Sequence, residues 1–229
     1  MATKKGTNNM TAYGTFATEP VFDHTVQGKD FYSAELSMTR QSGIVDTIRV
    51  IVSEDHVDRD KSYAGALIKV TGYFRSRNYA GTDGKSHIAL YLFATSMEFV
   101  DAIPENTLSN QIYIRGYICK QPVYRTTPSG KHIADVIVAI PRPAHGSDYI
   151  PCILWNDQAR IMKSLEVGVG LALVGRVQSR EYTNKKGENG VAYEVSVSRI
   201  ADTIPAVTSE NEKSKKSEKT EIAETVSAE

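Results

Sequence analysis

Apolar and polar positions alternate with a period of two over long stretches of the chain. Ile112, Ile114, Gly116 and Ile118 interleave with Tyr113, Arg115 and Tyr117, the signature of a half-buried strand. Gln121-Pro122 breaks this strand, and a polar turn around Pro128-Ser129-Gly130 follows. His132 to Ile140 reads as a second strand, stopped by Pro141 and Pro143. Tyr149 to Trp155 reads as a third, and Asn156 is placed to cap a short helix, Asp157 to Leu165, ending before Gly168. Leu171 to Tyr182 and Val191 to Val197 flank the turn-forming stretch Thr183 to Gly190. That order predicts a long hairpin as strands four and five.

The same pattern is written twice. Gly72-Tyr73-Phe74-Arg75-Ser76-Arg77-Asn78-Tyr79 returns 103 residues later as Gly175-Arg176-Val177-Gln178-Ser179-Arg180-Glu181-Tyr182. Gly14, Pro20, Gly28-Lys29, Arg40 and Asp46 return 102 residues later as Gly116, Pro122, Gly130-Lys131, Arg142 and Asp148. Matching glycines, prolines and turn signals at offsets that differ by one residue mark two copies of one unit. The boundaries predicted are a flexible 1–7, a first domain 8–103, a linker 104–109 and a second domain 110–204. Five strands with a helix between the third and fourth is the order of an OB-fold, a small closed barrel. The fold class is therefore all-β: two tandem OB-folds, each five-stranded with one short helix. In strand one, Gly14 and Gly116 suit the sharp bend such a barrel needs.

Residues 205–229 break the pattern. Val207, Ile222 and Val226 are isolated among Ser, Glu, Lys and Thr, too little apolar surface to order a chain, so a disordered tail is expected. Over the 229 residues, 27 Lys and Arg balance 27 Asp and Glu. A net charge of zero argues against a protein basic all over. The charge is local instead: Gly175 to Gly187 carries a net +3, a basic hairpin on a neutral body. Cys119 and Cys152 sit inside strand-like runs and have no histidine at ligand spacing, so neither a zinc site nor any other cofactor is expected. Asp55-His56-Val57-Asp58 holds metal-capable groups but lacks a counterpart in the second copy. No nucleophile elbow or phosphate loop occurs, so an enzyme is not expected. The start of the chain lacks the apolar segment of a secretion signal, and no run of ~18 apolar residues exists. A reducing, cytoplasmic setting is the expectation. Cations alternating with aromatics on a hairpin suit a nucleic-acid strand, because cations meet phosphates and rings meet bases.

The second copy resembles the bacterial single-stranded DNA-binding protein family. The residues that carry the likeness run in order through Asn110 to Gly116, Gln121-Pro122, Thr127 to Lys131, Asp148 to Asn156, Ala159, Gly168, Gly175 to Tyr182 and Tyr193-Glu194-Val195. The whole chain is similar to the variant of that family with two OB domains per chain, and the first copy looks like a diverged member. The resemblance implies base-stacking aromatics at Tyr149, Trp155 and Tyr182. The first copy has Thr47, Ser53 and Tyr79 there. Stacking is worth about 1–3 kcal/mol per base, so two lost rings cost the first copy roughly 2–6 kcal/mol. Tyr32, Tyr73 or Tyr91 are candidate substitutes; without them that copy serves mainly as a scaffold. Phosphate contacts are expected from Arg176, Arg180, Arg125, Lys131, Lys185 and Lys186 in the second copy. In the first they are expected from Arg75, Arg77 and Lys29, beside Tyr79. Arg176 and Arg180 have the same parity and share a face if their strand is regular.

The resemblance further implies a homodimer presenting four barrels, with Tyr113 and Arg115 of strand one as candidate interface. The family's acidic, apolar-tipped C-terminal end, which recruits replication and repair proteins, has no match in Glu224-Thr225-Val226-Ser227-Ala228-Glu229. A plasmid, phage or conjugative-element role would fit that departure. The reading is thus sequence-nonspecific binding and protection of single-stranded DNA in replication, recombination and repair. Its rivals are an RNA-binding OB protein and a protein-interaction scaffold whose first barrel does not bind DNA.

Overall fold

The computed structural model describes residues 8–80, 84, 86–143, 146–183, 187 and 189–204. The N-terminal stretch 1–7, Lys185, Lys186 and the tail 205–229 lie outside the described residues. In the first half the strands are β1 (Asn8–Phe16), β2 (Val21–Val26), β3 (Lys29–Thr39), β4 (Val45–Ser53), β5 (Leu67–Ala80) and β6 (Ser86–Phe99). In the second they are β7 (Asn110–Ile118), β8 (Val123–Thr126), β9 (His132–Pro141), β10 (Ser147–Trp155), β11 (Gly170–Thr183) and β12 (Asn189–Ile204), with α1 (Asn156–Met162) after β10.

Each half closes on itself. β1 pairs with both β3 and β5, β4 pairs with β3 and, in parallel, with β6, and β5 pairs with β6. β7, β9, β10, β11 and β12 repeat that circuit. The result is two OB barrels, as expected. Each carries one strand more than expected, because the chain resumes pairing beyond Pro20 and Pro122 and forms the β2–β3 and β8–β9 hairpins. Strand one serves two partners only by bending sharply at its glycine. A Cβ on Gly116 would stand 2.4 Å from the Ala139 carbonyl oxygen, and one on Gly14 would stand 2.3 Å from that of Ser37. Gly116→Ala is expected to lower unfolding free energy by about 1–3 kcal/mol through forced backbone displacement; chemical denaturation measures it, and an unchanged midpoint would refute the close approach.

The expectation of a helix in each copy is corrected in the first. There the chain makes only a 3₁₀ turn, Glu54–His56. In the second barrel Ala159 and Met162, one helical turn apart, are both fully buried and plug the barrel end. The matching stretch of the first holds Asp58, Arg59, Asp60 and Lys61, with no second apolar residue a turn after Val57. Tyr63, 2% exposed, fills the space instead, packed against Phe16 and Phe99. Its loop is held by Glu19, whose carboxylate accepts from Ser62 Oγ at 2.6 Å and from the Tyr63 and Ala64 amides. The second helix also starts differently: Trp155 occupies the N-cap without a side-chain bond, and Asn156 adopts φ 52°.

The two barrels share one sheet. β1 runs antiparallel to β7, with Met10 opposite Ile112 and Asn8 opposite Ile114. Asn8 is placed to do two jobs. Its backbone meets β7, and its side-chain amide stands in for a peptide toward β5, donating to Phe74 O at 2.7 Å and accepting from Phe74 N at 3.0 Å. Asn110 does the same in the other half, with Val177. The buried hydrophobic cores therefore run together across the seam.

Candidate nucleic-acid interface

A second seam sets the geometry of the site. Asp148, 1% exposed, accepts from Arg142 Nη2 at 2.6 Å, from Arg75 Nη1 at 3.0 Å and from the Ser76 amide at 2.8 Å. Ser76 and Arg75 belong to the other barrel's ribbon. Ser76 Oγ in turn accepts from the Tyr149 amide at 2.8 Å. The mirrored set is Asp46, which takes two bonds from Arg40 at 2.6 Å and one from the Ser179 amide, while Thr47 N donates to Ser179 Oγ at 3.0 Å. Each ribbon is thus latched onto the third OB strand of the opposite barrel. Pairing with Asp46 and Asp148 holds the Arg40 and Arg142 guanidinium pKa values above their ordinary value.

Tyr149 lies on the outer row of β10 and is 40% exposed. Trp155 closes the same row, half-buried and opposite Ile133 of β9. Tyr182 on β11 is 44% exposed. It faces Gly190 across the ribbon, and a Cβ there would come within 2.9 Å of its ring. Gly190 thus lets the tyrosine lie against the ribbon backbone. Tyr182 and Arg180 line a groove of about 330 Å³ with Pro151 and Tyr193 of the same barrel and Ile88 and Leu90 from the first barrel's ribbon. The groove is an inter-barrel feature, brought about by the latch.

The cations divide into free and engaged. Arg180, Lys131 and Arg77 are exposed, with no ion-pair partner among the described residues. Arg125 pairs with Asp135 at 2.9 Å, and Lys29 pairs with Asp55. Arg75 is committed to the Asp148 latch, with its guanidinium over the Tyr73 ring at 4.8 Å. Arg176 is half-buried in a different cleft, beside Arg40 and the linker, and its Nε has no partner among the described residues. Desolvation, together with the Arg40 charge, lowers its pKa from the ordinary arginine value. Arg176 and Arg180 therefore line different cavities. In the first barrel Tyr79 is 47% exposed and stacks with His87 at 5.5 Å. Tyr32 meets Phe22 edge-on and sits under Arg59; Tyr73 and Tyr91 are half-buried.

Sequence reading missed the latch. Its signal was visible in the repeat of Arg40 and Asp46 as Arg142 and Asp148, which reads as fold anchoring until the cross-barrel serines are seen.

Residues 109–202 match the model of the single-strand binding protein family. The chain is 35% identical over 106 residues to Single-stranded DNA-binding protein B of Bacillus subtilis, a match covering 42% of this chain and 87% of that protein. The chain belongs to the single-strand binding protein family. A family relative in Deinococcus radiodurans, a single-stranded DNA-binding protein, is 22% identical over 226 residues, covering 86% of this chain and 75% of its own length. The crystal structure of the wild-type single-stranded DNA binding protein from Thermus aquaticus superposes with a TM-score of 0.69 at 20% identity, covering 89% of this chain and 96% of that one. That likeness extends the shared fold across both barrels, beyond the family match in the second.

Proposed function

We propose that the chain coats single-stranded DNA without sequence preference, protecting it in replication, recombination and repair. The observation that carries this reading is the row of Tyr149 and Trp155 on the outer face of β10 beside the groove that holds Tyr182 and Arg180. Bases stack on these rings, and the exposed cations Arg180, Lys131 and Arg77 meet the backbone. Every base has a stackable face, so sequence preference is weak. The reading needs no catalytic step and places the protein in the cytoplasm with its DNA.

The test is a titration of labelled oligothymidylate and of duplex DNA at several salt concentrations. Strong preference for the single strand is expected. The logarithm of affinity should fall with log salt at a slope of about −0.7 per phosphate neutralised. Equal affinity for duplex would overturn the proposal, and tighter binding of oligouridylate would turn it toward RNA.

We also propose that two chains associate to present four barrels. β1 and β7 already pair within the chain, so a second chain cannot add along the strand-one edge. The proposed contact is face to face, over the outer side of β1 and β7, where Tyr113 is 37% and Tyr117 47% exposed and Arg115 lies 3.8 Å from Asp202. Light scattering should give twice the 25.2 kDa chain mass; a single-chain mass would remove the four-barrel assembly.

A further inference from the structure

One of the rings missing from the first barrel has a counterpart one strand away. In the second barrel one cross-strand rung reads Arg125 on β8, Ile133 on β9 and Trp155 on β10. The equivalent rung of the first reads His24 on β2, Phe31 on β3 and Ser53 on β4. The aromatic has moved one strand over. A register shift between Phe22 and His24 makes this possible. Such a bulge re-aims the side chain that follows it, and His24 lies over Phe31 with ring centroids 5.0 Å apart and planes 9° from parallel. His24 Nδ1 is 2.5 Å from the Asp23 carboxylate, which Arg49 also engages. Ser53 is small, so Phe93 of β6, beside Ile51 in the parallel pairing, reaches across β4 to within 5.9 Å of Phe31. Neither Phe31 nor Phe93 belongs to the buried core of the barrel or packs against it. Both are half-buried on the outside, and the His24 side chain above them is 40% exposed.

Rings stacked on the outside of a barrel, at the rung where its twin places Trp155, have no packing role that the core requires. We propose that Phe31, with His24 and Phe93, is the base-stacking platform of the first barrel, taking a nucleobase of the same single strand that the second barrel holds on Trp155. The proposal rests on the single-stranded DNA reading above. It assigns the first barrel a direct share in binding instead of a scaffolding role. The three rings are contiguous, so a base stacking on the outer face of His24 continues a column that Phe31 already begins. Arg49, paired with Asp23, stands beside that column.

The experiment uses the full chain. Trp155 is the sole tryptophan, so a Phe31→Trp, Trp155→Phe variant carries its one indole in the first barrel. Binding of oligothymidylate long enough to cross both barrels is followed by anisotropy of a labelled strand, and stacking by the emission of the indole at position 31. Emission should fall in step with anisotropy. Saturating anisotropy with unchanged emission overturns the proposal. Unmodified protein is run alongside; if it shows neither anisotropy change nor Trp155 quenching, the coating function itself fails, and the two failures are thereby separated. Phe31→Ala should weaken binding of the same strand by about 5- to 150-fold. A folded Phe31→Ala chain that binds within twofold of the unmodified protein would also overturn the platform, and if that chain does not fold the indole readout decides alone.

Discussion

Replacing Tyr149 and Tyr182 together by alanine is expected to weaken binding of oligothymidylate by roughly 30- to 20,000-fold, the loss of two stacked bases at about 1–3 kcal/mol each. Both rings are exposed, and neither hydroxyl has a hydrogen-bond partner among the described residues, so their removal leaves no buried group unsatisfied. The folded state should be little changed, and a circular dichroism melt within a few degrees of the parent would show that the affinity loss is direct. Tyr149→Phe and Tyr182→Phe keep the ring and should retain most of the affinity, which separates stacking from hydrogen bonding. Unchanged binding by the double alanine chain would move these tyrosines out of the interface. Trp155→Ala is a less clean probe. The tryptophan is half-buried and precedes α1 directly, so its loss affects the helix start as well as any stacked base.

The second large effect is expected in stability. Asp148→Ala removes the acceptor for Arg142, Arg75 and the Ser76 amide at once. Breaking a buried ion pair by deleting one partner costs about 3–5 kcal/mol, because the remaining charge stays desolvated. At about 2–4 °C per kcal/mol for a chain of this size, the melting temperature should drop by roughly 6–20 °C. Asp46→Ala should act likewise through Arg40 and Ser179. A drop below about 2 °C for either would show that the latch contributes little. The latch also positions the proposed binding face. Tyr149 hangs from Ser76 of the opposite ribbon, and the groove at Tyr182 has one wall from that same ribbon. A loosened latch should therefore lower affinity even where both barrels remain folded.

These two predictions differ in how far they were legible in the sequence. The family resemblance implies Tyr149 and Tyr182 as base platforms, matched residue by residue without knowledge of the fold. Their exposure followed. Arg75 and Arg176 are read as phosphate contacts from the parity of the repeated ribbon, yet one is tied into the latch and the other is half-buried beside Arg40. Parity says that a side chain leaves the barrel; it does not say what stands opposite. For an arginine between two packed barrels, the partner across the seam decides between a phosphate contact and an internal ion pair. Phe31 and Phe93 show the converse. Their positions matched Ile133 and Ser196 in the repeat and carried no signal alone, because the platform exists only once β2, β3, β4 and β6 lie side by side.

What the chain's order of residues determined by itself was local and repeated. Alternation set the strands, glycine and proline set the bends and breaks, and the near-constant offset declared two like barrels. Each of these depends on a residue and its near neighbours, so each survives reading in one dimension. Only the tertiary structure decided that β1 and β7 join the barrels into one sheet and that each ribbon locks to the opposite barrel. It alone brought His24, Phe31 and Phe93 together outside the core. Those are contacts between segments far apart in sequence, where side-chain size, register shifts and the burial of charge across a seam select the partner.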